Sequence, residues 1–252
     1  MRGNERLSAS RQMLYFYGYS GEIVDFQRDD VNGDLIFDNV YLLGKRPSGL
    51  ESPFVENITL VVQDGVTGNY YKVHLRENSG YNPTVFLGDF TGDKVKDILI
   101  NIDTGGSGGY IYSYVYSFLK NTPRLCFNSN SFNEKYKYDV IYKDQYKVDV
   151  VSNLNKIYTI DIQYKGKEYL SQIYDEQGRL KEPVKGEVLA LGGAYPVDLD
   201  RKGVYELAAE QRVIGRNNSD TLGYVLTILK WDGKSFIPLT QNVLIMGSRL
   251  GN

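Results

Sequence analysis

The sequence predicts an all-β chain on three observations. Apolar residues alternate with polar ones at a period of two, not 3.6. Clusters of turn residues interrupt the alternating runs at short intervals. The composition is rich in residues of strands and turns, with 22 Tyr and 26 Gly among 252 residues against 7 Pro and 3 Met. A chain of this length buries a real core, and single all-β domains commonly reach it, so one domain over residues 1–252 is the simplest organisation.

Along the chain, residues 1–20 read as a polar N-terminal extension or closing segment, with room for a short helix at 5–14. The runs ITLVV (58–62) and YYKVHL (70–75) are the first clear strand pair, with Asp64-Gly65 and Gly68-Asn69 between them. Residues 110–119, YIYSYVYSFL, place Tyr110, Tyr112, Tyr114 and Tyr116 on one face of an extended segment. Further strands are expected at 146–151 and 156–164, and the ambiguous stretch 205–213 also reads as a strand in its context. The strand at 224–231 ends at Asp232-Gly233, a hairpin signal of the type I′ kind, because Gly accepts positive φ freely and Asp tolerates it. Lys143-Asp144-Gln145 and Lys165-Gly166 mark further turns.

An acidic segment precedes several of these hairpins. The three copies are Asp30 to Asp38 (DVNGDLIFD), Asp89 to Asp97 (DFTGDKVKD) and Asp198 to Glu206 (DLDRKGVYE). Each is followed by an apolar strand and then a hairpin. The step from the second copy to the third is nearly twice the step from the first to the second. A repeat of roughly 55 residues accommodates this order as four units, about 21–80, 81–135, 136–190 and 191–252, the third having lost its loop.

The first loop carries oxygen-bearing side chains at positions 1, 3, 5 and 9, with Gly at position 4 to let the backbone curl. Hard cations such as Ca²⁺ take about 6 to 8 oxygen ligands. Asp30, Asn32, Asp34 and Asp38, with the Ile36 carbonyl and water, are the expected donors. The second loop offers Asp89, Thr91, Asp93 and Asp97 with the Val95 carbonyl, and Thr91 is a weaker ligand than Asn32. In the third loop Lys202 stands at position 5, where it acts as a built-in counter-ion in place of a ligand. Tyr41 and Ile100 occupy position 12, so neither loop is an EF-hand, which needs a bidentate Glu there.

DVNGDLIFDNVYLLG and LGDFTGDKVKDILINI resemble the FG-GAP or VCBS-like repeats of integrin-type β-propellers, over about 35 residues plus the degenerate copy near 198. The resemblance implies a small or irregular propeller of about four antiparallel repeats, with a β-sandwich as the alternative. It also implies calcium in the loops and adhesion or recognition at a bacterial cell surface, envelope or spore. No clear FG…GAP dipeptide pair is present.

Other features point to less. Asp103-Thr104-Gly105 follows an apolar strand, as in aspartic peptidases, but such an enzyme needs a second carboxylate from another DTG or from a homodimer, and the chain has no other DTG. The glycines at 105, 106, 108 and 109 are not followed by GK[ST], so they form no phosphate loop. His74 is the only histidine and falls on the polar side of its strand, and Cys126, the only cysteine, reads as a small core residue. These counts exclude an intrachain disulfide and multi-histidine zinc chemistry. The Tyr face of 110–116 offers either inter-sheet packing or a platform for a carbohydrate or peptide. A formal net charge of -2 argues against nucleic acid, and no apolar stretch is long enough to span a bilayer. The polar start MRGNERLSASRQ lacks the apolar core of a signal peptide. The expected function is therefore a non-enzymatic, calcium-binding recognition or scaffold protein with a protein or carbohydrate ligand; the alternatives are a hydrolase, at Asp103 or acting on polysaccharide, and a carbohydrate-binding module using the Tyr-rich face.

Overall fold

The computed structural model describes residues 13–16, 19–49 and 51–247, with side-chain surroundings from residue 21 onward. The expected helix at 5–14 lies mostly outside these residues, and Met13 and Leu14 open a strand instead. The fold is all-β, built from two antiparallel sheets.

The first sheet contains β1 (Met13–Phe16), β2 (Tyr19–Asp29), β3 (Asp38–Lys45), β4 (Phe54–Gln63), β5 (Tyr70–His74), β6 (Gly80–Gly88), β7 (Asp97–Asp103), β8 (Ile111–Ser117) and β9 (Arg124–Asn128). Their order is β1-β2-β3-β4-β6-β7-β8-β9, with β5 paired on β4. A seven-residue helix, α1 (Ser129–Lys135), leads to the second sheet. That sheet contains β10 (Tyr138–Lys143), β11 (Lys147–Ser152), β12 (Lys156–Asp161), β13 (Lys185–Val197), β14 (Glu206–Ile214), β15 (Thr221–Trp231) and β16 (Phe236–Leu244), in the order β12-β11-β10-β13-β14-β15-β16. A short helix, α2 (Gly166–Ser171), lies between β12 and β13, where the sequence suggested only a turn at Lys165-Gly166.

Burial follows the pleat. In β11, Val148, Val150 and Ser152 point inward while Lys147, Asp149 and Val151 are half-buried. In β4 the five residues Ile58–Val62 are all buried, because both faces of that strand are covered. The first sheet curls so that its halves face each other across Val40, Leu42, Leu60, Ile98, Ile100 and Tyr114. At the rim of this core the Val85 N–H of β6 donates to Asp25 Oδ2 of β2 at 2.7 Å. A second core joins the two sheets: Phe90, Val115 and Phe127 meet Leu191, Leu207 and Phe236. A third lies under α2, around Val148, Ile160 and Val213. Each fully buried apolar side chain stabilises the fold by roughly 1.5–3 kcal/mol.

Two expectations need correction. The strand groups do not form separate blades. β4 and β6 are bonded through Phe54↔Tyr81 and Val55↔Gly80, and β10 and β13 through Val140↔Gly186 and Ile141↔Lys185. Two continuous sheets packed on a common core are not a clear propeller and are compatible with the sandwich-like alternative. The hairpin at Asp232-Gly233 is present, but Trp231 pairs with Phe236, leaving a four-residue loop in which only Gly233 has positive φ. Asp232 closes that loop by accepting the Lys234 and Ser235 N–H groups, so the type I′ geometry is not used.

Candidate functional site

The acidic loops fold through their own carboxylates. In the first, Asp30 Oδ1 accepts the Gly33 N–H at 2.7 Å and Oδ2 the Leu35 N–H at 3.0 Å. Asn32 Oδ1 accepts Asp34 N–H, and Asp34 Oδ1 accepts Ile36 N–H. The second repeats the plan: Asp89 accepts Gly92 and Lys94 N–H, and Asp93 accepts Val95 N–H. In the third, Asp198 accepts Lys202 and Gly203 N–H, and Lys202 Nζ pairs with Asp200 Oδ2 at 3.2 Å. Positions 4 and 6 are left-handed in every copy: Gly33 and Leu35, Gly92 and Lys94, Arg201 and Gly203. For Leu35 and Lys94 this costs about 1–2 kcal/mol each, offset by the bonds to Asp30 and Asp89.

In the first two loops the carboxylate at position 9 is buried. Asp38 Oδ2 accepts Val31 N–H, and Oδ1 accepts Gly65 N–H at 2.9 Å and the Asn32 amide at 3.3 Å. Asp97 Oδ2 accepts both Phe90 and Thr91 N–H at 2.8 Å. Desolvation nevertheless pushes Asp97 up to about 6, with the charge of Asp93 adding to the rise. Desolvation also raises Asp38, helped by Asp34 and Asp64. Beside the first loop, Asp64 is held below the ordinary carboxylate value, chiefly by the Thr67 N–H and also by the Asn121 amide, which donates to it at 2.5 Å.

The three loops stand in a row. Lys96 N–H of the second donates to Asp30 O of the first at 3.2 Å. Tyr205 N–H of the third donates to Asp89 O of the second at 2.7 Å, alongside a parallel bridge between Asp89 and Val204.

The donors suit a hard cation in kind, since the expected side-chain donors of both loops are oxygens. Convergence is another matter. Among the described residues no three Asp, Glu, His or Cys side chains come together closely enough to hold a metal ion. Asp34 and Asp93 at position 5 are exposed, and Asp34 Oδ2 shares the Asn32 amide with Asp38.

The remaining candidates fall in different places. Tyr114 and Tyr116 are buried in the first core, and Tyr112 packs against it, so the tyrosine face is interior rather than a platform. Tyr114 Oη bonds the Glu77 backbone, and Tyr110 is half-buried where the strand begins. Packing wins because both faces of β8 are covered, the tyrosine face by the first core and the Ile111 and Val115 face by the second. Asp103 Oδ2 accepts the Asn82 amide at 3.0 Å, and among the described residues no hydrogen bond joins it to another carboxylate. His74 is exposed on β5, and Cys126 is half-buried with its thiol pushed up by desolvation.

One constellation has no counterpart in the sequence reading. Asp220, 8% exposed, receives Lys165 Nζ at 2.9 Å, Tyr169 Oη at 2.7 Å and Arg216 N–H at 3.1 Å. Tyr142 Oη meets Tyr169 Oη at 2.8 Å. Burial pushes the Asp220 carboxyl up, but Lys165, Tyr169 and Arg216 outweigh it and hold the group below its ordinary value. Tyr169 is pushed far upward by desolvation and by its two neighbours. The members are scattered along the chain from Tyr142 to Asp220, with no spacing that marks them.

Comparison with known proteins corrects the resemblance to FG-GAP and VCBS-like repeats: the family that matches is another one. Residues 136–244, which span the second sheet, match the YybI C-terminal domain. No solved structure matches the chain. The uncharacterized protein YybI of Bacillus subtilis (strain 168) is 50% identical over 232 residues, covering 92% of this chain and 88% of the relative. With that identity over that length, the chain belongs to the YybI family.

Proposed function

We propose that this chain is a non-enzymatic recognition or scaffold protein whose contact surface is the tip of the first acidic loop, stiffened by calcium. The observation that carries the reading is an apolar tip turned to solvent: Leu35 is 86%, Ile36 47% and Phe37 54% exposed, with Val66 63% exposed on the neighbouring turn. Contiguous exposed apolar groups rimmed by carboxylates mark a contact surface rather than a core. With three aliphatic side chains around one ring, the tip suits an apolar protein partner better than a sugar. Asp38, Asp34 and Asp64 gather three carboxylates at the base of this tip, and Ca²⁺ would offset their charge. Placement at the cell surface, envelope or spore followed from the corrected resemblance alone and is a matter for fractionation.

Calcium binding should raise stability by about 2.7 kcal/mol per site at a free concentration 100 times the dissociation constant, so chelation by EGTA should lower the melting temperature. Asp34→Ala and Asp93→Ala should each remove one calcium by titration calorimetry, with the Thr91-containing site the weaker. Asp200→Ala should leave the stoichiometry unchanged, because Lys202 already neutralises that loop. No calcium by elemental analysis and no effect of EGTA would overturn the calcium reading. The recognition surface has its own test. Leu35→Asp with Phe37→Asp should abolish capture of the natural partner while leaving the melting temperature within the small change expected of surface substitutions, and retained capture would show that contact is made elsewhere.

A further inference from the structure

Away from the acidic loops, a cavity of about 250 Å³ opens between β9, α1 and the β15–β16 hairpin. It would hold roughly eight waters at about 30 Å³ each. Its lining is divided about equally between apolar groups, with Leu125, Phe127, Phe132 and Phe236 among them, and polar ones, Asn128, Ser131, Lys135 and Ser235, and the phenylalanines continue into the core that joins the two sheets. A guest with an apolar body and a polar head meets both parts of such a lining.

Two of the polar groups stand out. Tyr136 lines the cavity and is only 2% exposed, yet its hydroxyl has no hydrogen-bond partner. Lys135, also in the lining, is exposed, and its Nζ sits 5.5 Å from the centre of the Tyr136 ring. A second cation is close, since the Arg124 guanidinium lies 5.2 Å over the Trp231 ring, which packs on Phe236 with centroids 5.4 Å apart. Lys135 therefore gives the lining one cation, and the phenylalanines give it an apolar wall.

We propose that this cavity binds a small amphipathic carboxylic acid, its apolar body against Phe127, Phe132 and Phe236 and its acid group at the Lys135 ammonium. The site does not depend on the acidic loops or on calcium.

The chain supplies two reporters of its own. Trp231 is the only tryptophan and touches the wall residue Phe236, and Cys126 is the only cysteine and lines the cavity. Octanoate is the probe, with octan-1-ol and octylamine as the neutral and cationic controls. Octanoate should change Trp231 emission saturably with a dissociation constant of about 0.1 mM, and should slow maleimide labelling of Cys126. Octylamine should do neither. Lys135→Ala should weaken octanoate roughly fivefold, the worth of one exposed ion pair, and leave octan-1-ol unchanged. Ser131→Phe places a ring at the exposed lip and should abolish binding without lowering the melting temperature. Equal binding of octylamine, or an unchanged octanoate affinity in Lys135→Ala, would overturn the acid assignment. No saturable emission change and no protection of Cys126 would overturn the site itself.

Discussion

Replacing Asp220 by Ala is expected to destabilise the protein by roughly 3–5 kcal/mol, the cost of leaving a buried cation without its partner. Lys165 Nζ is only 16% exposed at side-chain level and would keep its charge beside the Thr221 carbonyl, while Tyr169 would lose its acceptor. Removing both charges together, as Lys165→Met with Asp220→Leu, should recover most of that loss, because two apolar groups leave no unpaired charge. Equal losses in the single and double variants would show that the ion pair is incidental. The pair also sets a pH dependence. The folded-state carboxyl lies below its ordinary value, so its contribution is complete above about pH 4 and is lost as the pH falls through the folded value. Urea unfolding of the wild type between pH 2 and 5 should therefore show a steeper acid limb than Asp220→Asn.

The second large effect is expected at Phe90, at about 3–5 kcal/mol for replacement by Ala. This residue occupies position 2 of the second acidic loop and is 1% exposed, with its ring 5.8 Å from Tyr205 and 6.4 Å from Phe236. Its neighbours belong to both sheets, so the void cannot close by moving one loop. The equivalent position of the third loop is Leu199, which is 49% exposed. Leu199→Ala should change stability by no more than about 0.5 kcal/mol. Chemical denaturation of the two variants side by side tests whether the second loop is anchored through its position 2 or held only by its carboxylates.

The strands and acidic turns were legible because their causes are local. Asp30 reaches N–H groups three and five residues on, and alternation in 146–151 is enough to set which face of β11 is buried. The same locality explains why the resemblance misled. Nine residues of Asp, Asn and Gly chemistry specify a turn between two strands and say nothing about whether successive strand groups join edge to edge, as Phe54↔Tyr81 makes them do. Helix α1 left a faint signal in Asn128, whose side chain accepts the Ser131 N–H as an N-cap, but seven residues are too few for a 3.6-residue period to show. The Asp220 network and the cavity beside Cys126 were illegible because each is assembled from distant segments, and the burial that gives them their chemistry is a property of the whole fold.

Strand order also bears on how the chain reaches this state. Apart from β4 with β6 and β10 with β13, every strand pair in the described sheets joins neighbours in sequence. Pairing of that kind closes short loops first and keeps the mean sequence separation of contacts low, which favours faster folding than interleaved β topologies allow. During synthesis the first sheet can close on its own core, around Leu42, Leu60 and Ile100, before the second has emerged. Docking comes last, because Phe90, Val115 and Phe127 stay uncovered until Leu207 of β14 and Phe236 of β16 arrive. The interval in which that apolar wall is bare is where a chaperone would act, and where a stalled or truncated chain would aggregate.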